Sequence, residues 1–179
     1  EKYKGFGVSA CATCDGFFYR DKIVAVIGGG NMAVEEAIFL TKFASKVYLI
    51  HRRDELRAEK ILQKRLFENK KIQIIWNKQV TDILGEDNPL GVTGIQMRDT
   101  LSKELSEITC SGVFVAIGHS PASNLIKDQL KIFDNGYVST VPGTTKTSIP
   151  GVFAAGDLVD NIYRQAVTSA AMGLSLIHI

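Results

Sequence analysis

The sequence lacks the features that usually mark membrane, secreted and strongly charged proteins. No apolar run approaches the roughly 18 residues that a membrane-spanning helix needs, and no charged start leads into an apolar signal segment. The 21 basic and 19 acidic residues nearly cancel, leaving a formal net charge of +2. We therefore predict a cytoplasmic protein, with neither nucleic acid nor a membrane as an expected partner.

Cysteine is also scarce, and its spacing is informative. Three cysteines are too few, and an odd number, for the disulfide framework of a small secreted protein. Cys11 and Cys14 are separated by two residues, which is typical of a redox-active pair in a chain with βαβ patterning. Asp15 follows directly, and a carboxyl group there could donate or accept the proton that moves when one sulfur leaves as a thiol.

Two alternatives for the cysteine pair stay open at this point, a zinc half-site and two buried inert thiols. A tetrahedral zinc site needs two further ligands, and the remaining candidates, Cys110, His51, His119 and His178, contain no pair at ligand spacing. We expect no metal and interpret Cys110, which lies in an apolar context, as a small core residue. His119 could contact a cofactor or position a loop.

Alternating strands and helices predict an α/β fold with a parallel sheet. Hydrophobic residues make up 45% of the chain, and short β-branched runs are typical of buried parallel strands. An amphipathic helix follows the first strand, with Glu35 and Glu36 expected on its outer face. The predicted strands are residues 23–27, 47–50, 72–76 and 112–117, and the predicted helices are residues 31–43 and 58–69.

The rest of the chain is organised differently. Residues 80–84, 93–98 and 105–109 are separated by turn residues, as in an antiparallel meander. After Gly118 the chain becomes rich in loops, and we expect a last strand near residues 152–155 and a helix from about Tyr163. We place a domain boundary near Gly118.

A glycine-rich turn joins the first strand to the first helix. Its sequence, Gly-Gly-Gly-Asn-Met-Ala, fits the fingerprint in which glycines allow a tight turn and let a pyrophosphate approach backbone N–H groups at a helix start. The position between a strand and a helix is the context that this motif requires. The sequence therefore predicts a dinucleotide site formed by Gly28, Gly30, Asn31, Met32 and Ala33.

The end of the second strand indicates which dinucleotide would bind. An NAD site would place an acidic residue there for the ribose hydroxyl, but this chain has His51, Arg52 and Arg53, with Arg57 one turn later. Guanidinium groups suit a 2′-phosphate through charge-assisted hydrogen bonds. We predict NADP(H); the alternative is an exposed basic face whose arginines pair with nearby acidic residues.

Several motifs, in order along the chain, closely resemble the bacterial low-molecular-weight thioredoxin reductase family. The resemblance runs from about Gly5 to Gly173. The motifs are Ser9-Ala10-Cys11-Ala12-Thr13-Cys14-Asp15-Gly16, the glycine turn, His51-Arg52-Arg53 with Arg57, Val115-Ala116-Ile117-Gly118-His119, Gly151-Val152-Phe153-Ala154-Ala155-Gly156-Asp157 and Tyr163-Arg164-Gln165-Ala166-Val167.

This resemblance implies a fold and an activity. Residues 1–118 would form a Rossmann-like three-layer domain with an antiparallel meander, binding NADPH, and residues 119–179 the C-terminal part of a second, FAD-binding domain. The enzyme would be a homodimeric flavoprotein in which electrons pass from NADPH through FAD to the Cys11–Cys14 disulfide and on to thioredoxin. Asp15 would be the acid/base, and Cys14 is the favoured flavin-side sulfur.

The resemblance also assigns cofactor contacts. Asp157 would hold the ribityl or phosphate region of FAD, and Arg164, Gln165 and Ala166 would approach the isoalloxazine ring. The NADPH site would be lined by the loop after Gly30 and by His51, Arg57, Ile117, Gly118 and Tyr137.

Two departures from the family lead us to expect a piece of a longer protein. The family's first Rossmann segment, with its own glycine fingerprint for the FAD pyrophosphate, would precede Glu1, so FAD binding by residues 1–179 alone should be weak or lost. From Leu174 onward the sequence departs from the small-residue helix of the family, and we give residues 174–179 no functional weight. The piece by itself should be inactive.

Two other functions remain open. A related NADH-dependent reductase that serves a peroxiredoxin has a similar cysteine pair, although an acidic or neutral strand end would suit it better than Arg52 and Arg53. The isolated chain could also be a non-catalytic NADP(H)-binding module.

Overall fold

The structure is a computed structural model that describes residues 2–177. The chain forms two compact units, Glu1–Gly118 and His119–Ile179. Whether these are an NADPH-binding domain and part of an FAD-binding domain stays a prediction. His178, one of the residues considered as a metal ligand, lies outside the described residues.

Unit 1 contains three helices and eight strands. They are β1 (Val8–Ser9), α1 (Ala12–Asp15), β2 (Ile23–Gly28), α2 (Asn31–Leu40), β3 (Lys46–Ile50), α3 (Lys60–Phe67), β4 (Ile72–Ile75), β5 (Lys78–Asp87), β6 (Leu90–Asp99), β7 (Leu105–Thr109) and β8 (Gly112–Ala116). A 3₁₀ turn, Gly16–Tyr19, follows α1.

Five of the strands form a parallel sheet in the order β1-β8-β2-β3-β4. Strand β2 contains no polar side chain, because both faces of the sheet are covered. One face packs against α2 and α3, with Leu40, Leu49 and Phe114 fully buried between them. The opposite face packs against residues of the second sheet, including Ile95 and Met97.

The second sheet is the antiparallel meander β5-β6-β7. Helices, parallel sheet and meander therefore make three layers, and the predicted Rossmann-like three-layer fold is confirmed. Strand β1 was not predicted, because a two-residue strand leaves no periodicity to detect.

Both predicted helices of unit 1 are shorter than their apolar patterns. Helix α2 ends at Leu40, where the Thr41 hydroxyl donates to the Ile38 carbonyl at 2.6 Å and the chain turns.

Glu36 of this helix was expected on the outer face, and that expectation was wrong. The side chain is half-buried, because α1 packs against α2 at this point.

Unit 2 has little regular structure before its one long helix, α4 (Ala166–Ile177). The strand predicted near residues 152–155 is wrong, since the chain makes only an isolated bridge there, between Lys146 and Phe153. The helix predicted from Tyr163 begins three residues later, because the backbone of Arg164 is left-handed (φ +51°) and cannot continue a helix.

Among residues 2–177, no helix is both long enough and apolar enough to cross a membrane.

Candidate active site: a disulfide loop and a dinucleotide pocket

The cysteine pair lies just beyond the end of β1. Cys11 is the N-cap of α1, and its sulfur is bonded to that of Cys14 in a disulfide, with the two Cα atoms 5.3 Å apart. Cys14 is exposed and Cys11 half-buried, which does not fit two buried inert thiols. Within residues 2–177 there is no group of three or more histidine, cysteine or acidic side chains that could hold a metal ion.

Three hydrogen bonds hold the loop that carries the disulfide. The Cys11 N–H donates to Ser9 Oγ at 3.0 Å, and the Cys14 N–H donates to the Cys11 sulfur at 3.2 Å. The Ala12 N–H donates to Glu36 Oε1 at 3.3 Å. Burial raises the pKa of the Glu36 carboxyl, and this hydrogen bond opposes the rise. The start of the loop is therefore fixed both to the end of β1, through Ser9, and to α2, through Glu36.

The surface next to the disulfide is apolar. Phe17 and Phe18 follow Asp15 in the 3₁₀ turn, and their side chains are 60% and 71% exposed. Asp15, the predicted acid/base, is half-buried at the end of α1, and its N–H donates to the Cys11 carbonyl at 3.1 Å. Two exposed aromatic rings only three and four residues after the exposed Cys14 suit contact with another protein better than with a small polar molecule.

A second feature of unit 1 is a cavity of about 670 Å³ at the carboxyl ends of β2, β3 and β8. This is the edge at which open parallel sheets bind their ligands. The lining residues are Ile27, Gly28, Gly29, Gly30, Asn31, Met32, Ile50, His51, Arg52, Arg57, Lys78, Gln79, Val80, Val115, Ala116, Ile117 and Gly118.

Most of the predicted nucleotide residues line this cavity. Two of them do not. Ala33 is fully buried beneath the glycine turn, where a side chain at residue 28 would collide with it and with the Ala116 carbonyl. Arg53 is exposed, and its carbonyl accepts the N–H of Asn77 at 3.2 Å. Tyr137, which was predicted for the same site, is a buried residue of unit 2.

The glycine turn leaves room for a ligand. A side chain at residue 30 would meet nothing within 4 Å, so the backbone there is open to an approaching group. Asn31 ties the turn to the start of α3: its side-chain oxygen accepts the Glu59 N–H at 2.8 Å, and its amide donates to Glu59 Oε1 at 3.2 Å. Asn31 begins α2, no side chain caps this helix start, and N–H groups at a helix start are suited to binding a phosphate.

His51 is the most deeply buried polar group of the cavity wall. Its side chain is 5% exposed, and its Nε2 atom has no hydrogen-bond partner among the described residues. Burial lowers the pKa of the imidazole and so favours the neutral ring. A buried, unsatisfied ring nitrogen is costly unless a ligand completes its hydrogen bonding.

Arg52 and Arg57 supply the positive charge of the cavity. The Arg57 N–H donates to the Gly29 carbonyl at 2.8 Å, which fixes the loop after β3 against the glycine turn. Within residues 2–177, neither arginine forms an ion pair with a carboxylate, so the alternative of an acid-paired basic face has no support. Two free guanidinium groups at this edge fit a dianionic phosphate.

A third contributor to the cavity wall, the start of β5, was not predicted from sequence. Lys78 donates its N–H to the His51 carbonyl at 3.1 Å and lines the cavity with Gln79 and Val80. Its ammonium group lies 2.9 Å from Asp99 Oδ2. The N–H of Ser102, the Lys78 ammonium and the N–H of Leu101 together lower the pKa of Asp99 to about 2. This wall depends on the meander folding back onto β3, which no local pattern encodes.

In unit 2 the predicted flavin contacts cluster at the start of α4. The Arg164 guanidinium donates to the Tyr137 hydroxyl at 3.3 Å, and Asp157 Oδ1 accepts the Ser169 hydroxyl at 3.3 Å. Gln165 and Ala166 follow at the first turn of the helix. N–H groups at a helix start suit carbonyl oxygens, and a carboxylate suits sugar hydroxyls, so this donor and acceptor set fits a flavin nucleotide.

Comparisons with known proteins agree with this architecture. The family described as pyridine nucleotide-disulphide oxidoreductase matches residues 1–173. The thioredoxin reductase of Rickettsia felis is 57% identical over 173 residues, which cover 97% of this chain and 56% of that protein. The thioredoxin reductase of Escherichia coli O157:H7 is 54% identical over 181 residues, 97% of this chain and 56% of that protein.

Solved structures of thioredoxin reductases are also similar to this chain. The crystal structure of thioredoxin reductase from Streptococcus pyogenes MGAS5005 superposes with a TM-score of 0.87 at 40% identity, covering 99% of this chain and 58% of that one. This chain spans about half the length of the curated relatives that it matches. Fold, disulfide loop, dinucleotide pocket and matched family together show that the chain belongs to the pyridine nucleotide-disulphide oxidoreductases.

Proposed function

We propose that this chain carries the nucleotide-binding and disulfide centres of an NADPH-dependent thioredoxin-disulfide reductase that uses FAD and works as a homodimer. The observation that carries the proposal is the presence, in one unit, of an accessible Cys11–Cys14 disulfide and a cationic dinucleotide cavity. The similarity to proteins named thioredoxin reductase supports it.

The choice of NADPH rests on charge. Arg52 and Arg57 would bind the 2′-phosphate, the N–H groups at the start of α2 would bind the pyrophosphate, and His51 Nε2 would gain a hydrogen bond from the nucleotide. NADH lacks the 2′-phosphate, so it would leave both guanidinium groups without an anion.

The residues of the disulfide loop would perform the exchange. FAD, when bound, supplies the two-electron transfer between the nicotinamide and the disulfide. Reduction breaks the Cys11–Cys14 bond and leaves two thiols, and one thiolate then attacks the thioredoxin disulfide to form a mixed disulfide. The second cysteine resolves it, so that the Cys11–Cys14 bond reforms and thioredoxin leaves as a dithiol. Asp15 would hold or give the proton that the leaving sulfur needs.

The partner choice rests on the surface around the sulfurs. Phe17 and Phe18 would supply an apolar contact for thioredoxin near the Cys11–Cys14 disulfide. Residues Asp157, Arg164, Gln165 and Ala166 would contact FAD.

A thiol count tests the proposal. The full-length, FAD-loaded protein is treated without oxygen with one equivalent of NADPH, alkylated, and analysed by peptide mass spectrometry. We expect two labels, on Cys11 and Cys14, and no label in a sample without nucleotide. An unlabelled pair after oxidation of NADPH would show that electrons do not reach this disulfide, and would overturn the proposal.

A further inference from the structure

Asp160 is a buried carboxylate with an unusual set of partners. Its side chain is 6% exposed and forms no ion pair within residues 2–177. It accepts four hydrogen bonds instead. Oδ1 accepts the N–H groups of Ile162 at 2.9 Å and Tyr163 at 2.8 Å. Oδ2 accepts the Arg164 N–H and the Thr168 hydroxyl, each at 2.9 Å.

These hydrogen bonds keep the group ionised. Burial alone would raise the pKa of Asp160, but the three N–H groups and the hydroxyl outweigh burial and lower the pKa to about 2. The Thr168 hydroxyl also ties this charge to the first turn of α4. Because all four donors bond to one buried carboxylate, the positions of the three N–H groups and the hydroxyl are fixed together.

The segment held in this way is the turn before α4. Arg164 has a left-handed backbone (φ +51°), which is disfavoured for a residue with a Cβ atom. Two contacts hold it there, its N–H to Asp160 and its guanidinium to the buried Tyr137 hydroxyl. Thr168 links the same carboxylate to the first turn of the helix, where its Oγ1 lies 3.3 Å from the Gln165 N–H.

We infer that Asp160 is a positioning residue for flavin binding: its carboxylate sets the conformation of Arg164 and Gln165, and the start of α4, before the cofactor binds. The inference rests on the proposed function, in which residues 164–166 contact the flavin. A turn already held in its binding conformation loses less conformational entropy when the cofactor binds, and so binds it more tightly.

The oxygen atoms of Asp160 have separate partners, and this makes a selective variant available. In Asp160→Asn, an amide oxygen at the Oδ1 position still accepts from Ile162 and Tyr163. The amide NH₂ group then faces the Arg164 N–H, so two donors oppose each other. Asp134→Asn is the matched control, because it removes the same charge from an exposed residue of the same unit.

The test measures FAD affinity in the full-length, FAD-loaded protein, by recovery of flavin fluorescence on dilution, and amide exchange at Arg164 without FAD. For Asp160→Asn we expect an FAD dissociation constant raised by about tenfold or more and faster exchange at Arg164, with both unchanged in Asp134→Asn. Wild-type FAD affinity in Asp160→Asn would overturn the inference. Absence of FAD binding by the wild type would instead refute the proposed function, and exchange at Arg164 would still decide whether Asp160 holds the turn.

A second pair of variants covers the case in which Asp160→Asn does not fold. Thr168→Ser keeps the hydroxyl donor to Asp160, and Thr168→Val removes it with little change in shape. We expect wild-type FAD affinity for the serine variant and weaker binding for the valine variant. Equal affinity of the two would contradict the positioning role.

Discussion

The ring of His51 fills the space that a side chain at residue 29 would need. A Cβ atom built on Gly29 would overlap the imidazole carbons and nitrogens. The absence of a side chain in the glycine turn is thus what allows a buried histidine to form the wall of the nucleotide cavity. The two residues belong to different βα connections, so the fit between them is a property of the folded sheet edge.

Replacing Gly29 by alanine should therefore damage the cavity. In Gly29→Ala the His51 ring must move into the cavity or away from β3, and we expect NADPH to bind about tenfold more weakly, which corresponds to about 1.4 kcal/mol. Isothermal titration calorimetry on the chain measures this. Gly91→Ala is the control, because a side chain there would meet no atom closer than 3.9 Å. Unchanged binding in Gly29→Ala would show that His51 does not shape the site.

Removal of one cavity guanidinium should reduce selectivity for the phosphorylated nucleotide. Loss of a hydrogen bond between charged groups costs about 1.5–3 kcal/mol, so Arg52→Gln or Arg57→Gln should weaken NADPH binding about tenfold to a hundredfold. NADH binding should change little, since it has no 2′-phosphate. Arg65→Gln, on the exposed face of α3, is the control. An equal loss for NADPH and NADH would argue against a 2′-phosphate site.

His51 should make stability depend on pH. Burial lowers its pKa in the folded chain, whereas in the unfolded chain the pKa returns to about 6.5. As the pH falls below about 6.5 the unfolded state binds the proton more readily, so the free energy of unfolding decreases until the folded pKa is reached. Well above pH ~6.5 the histidine is neutral in both the folded and the unfolded state, so it no longer changes the free energy of unfolding with pH.

Urea unfolding at pH 7.5 and 5.5 measures this effect. Trp76, the single tryptophan of the chain, provides the signal because its ring centroid lies 6.2 Å from that of His51. The difference between the two pH values should shrink in His51→Gln and stay at its wild-type size in His119→Gln, which changes an exposed histidine. The same difference in wild type and His51→Gln would contradict the assignment.

The three cysteines should differ in reactivity. Cys110 is 1% exposed, and burial raises the pKa of its thiol to about 11, so little thiolate forms at pH 8. After mild reduction, iodoacetamide should label Cys11 and Cys14 within minutes and Cys110 only in urea, as read by mass spectrometry. Cys110→Ala should leave the labelling of the other two unchanged. Fast labelling of Cys110 in the native chain would show that it is not a core residue.

The parts of the fold that follow local rules could be predicted from sequence. The strand–glycine turn–helix unit and the meander have periodic apolar patterns, and the cavity residues Gly28, His51 and Arg52 lie next to strand ends that those patterns locate. Arg52 and Arg57 were predicted as phosphate-binding residues because guanidinium groups at the end of a strand suit a phosphate.

The parts that depend on distant contacts could not be predicted. Lys78 enters the cavity wall because β5 turns back beside β3, and Glu36 is buried because α1 lies against α2. The start of α4 is set by Asp160, whose hydrogen bonds to the following N–H groups compete with the helix that the apolar pattern suggests. Each of these side chains looks like an ordinary surface residue in the sequence.

The most direct test of the account is turnover of a thioredoxin disulfide by the full-length, FAD-loaded protein, with NADPH or NADH as the reductant. We predict rapid oxidation of NADPH that requires thioredoxin, at least about tenfold slower oxidation of NADH at equal subsaturating concentrations, and no thioredoxin reduction in Cys11→Ser or Cys14→Ser. Failure to reduce thioredoxin with NADPH, or a peroxiredoxin-type disulfide reduced with NADH in its place, would contradict the account.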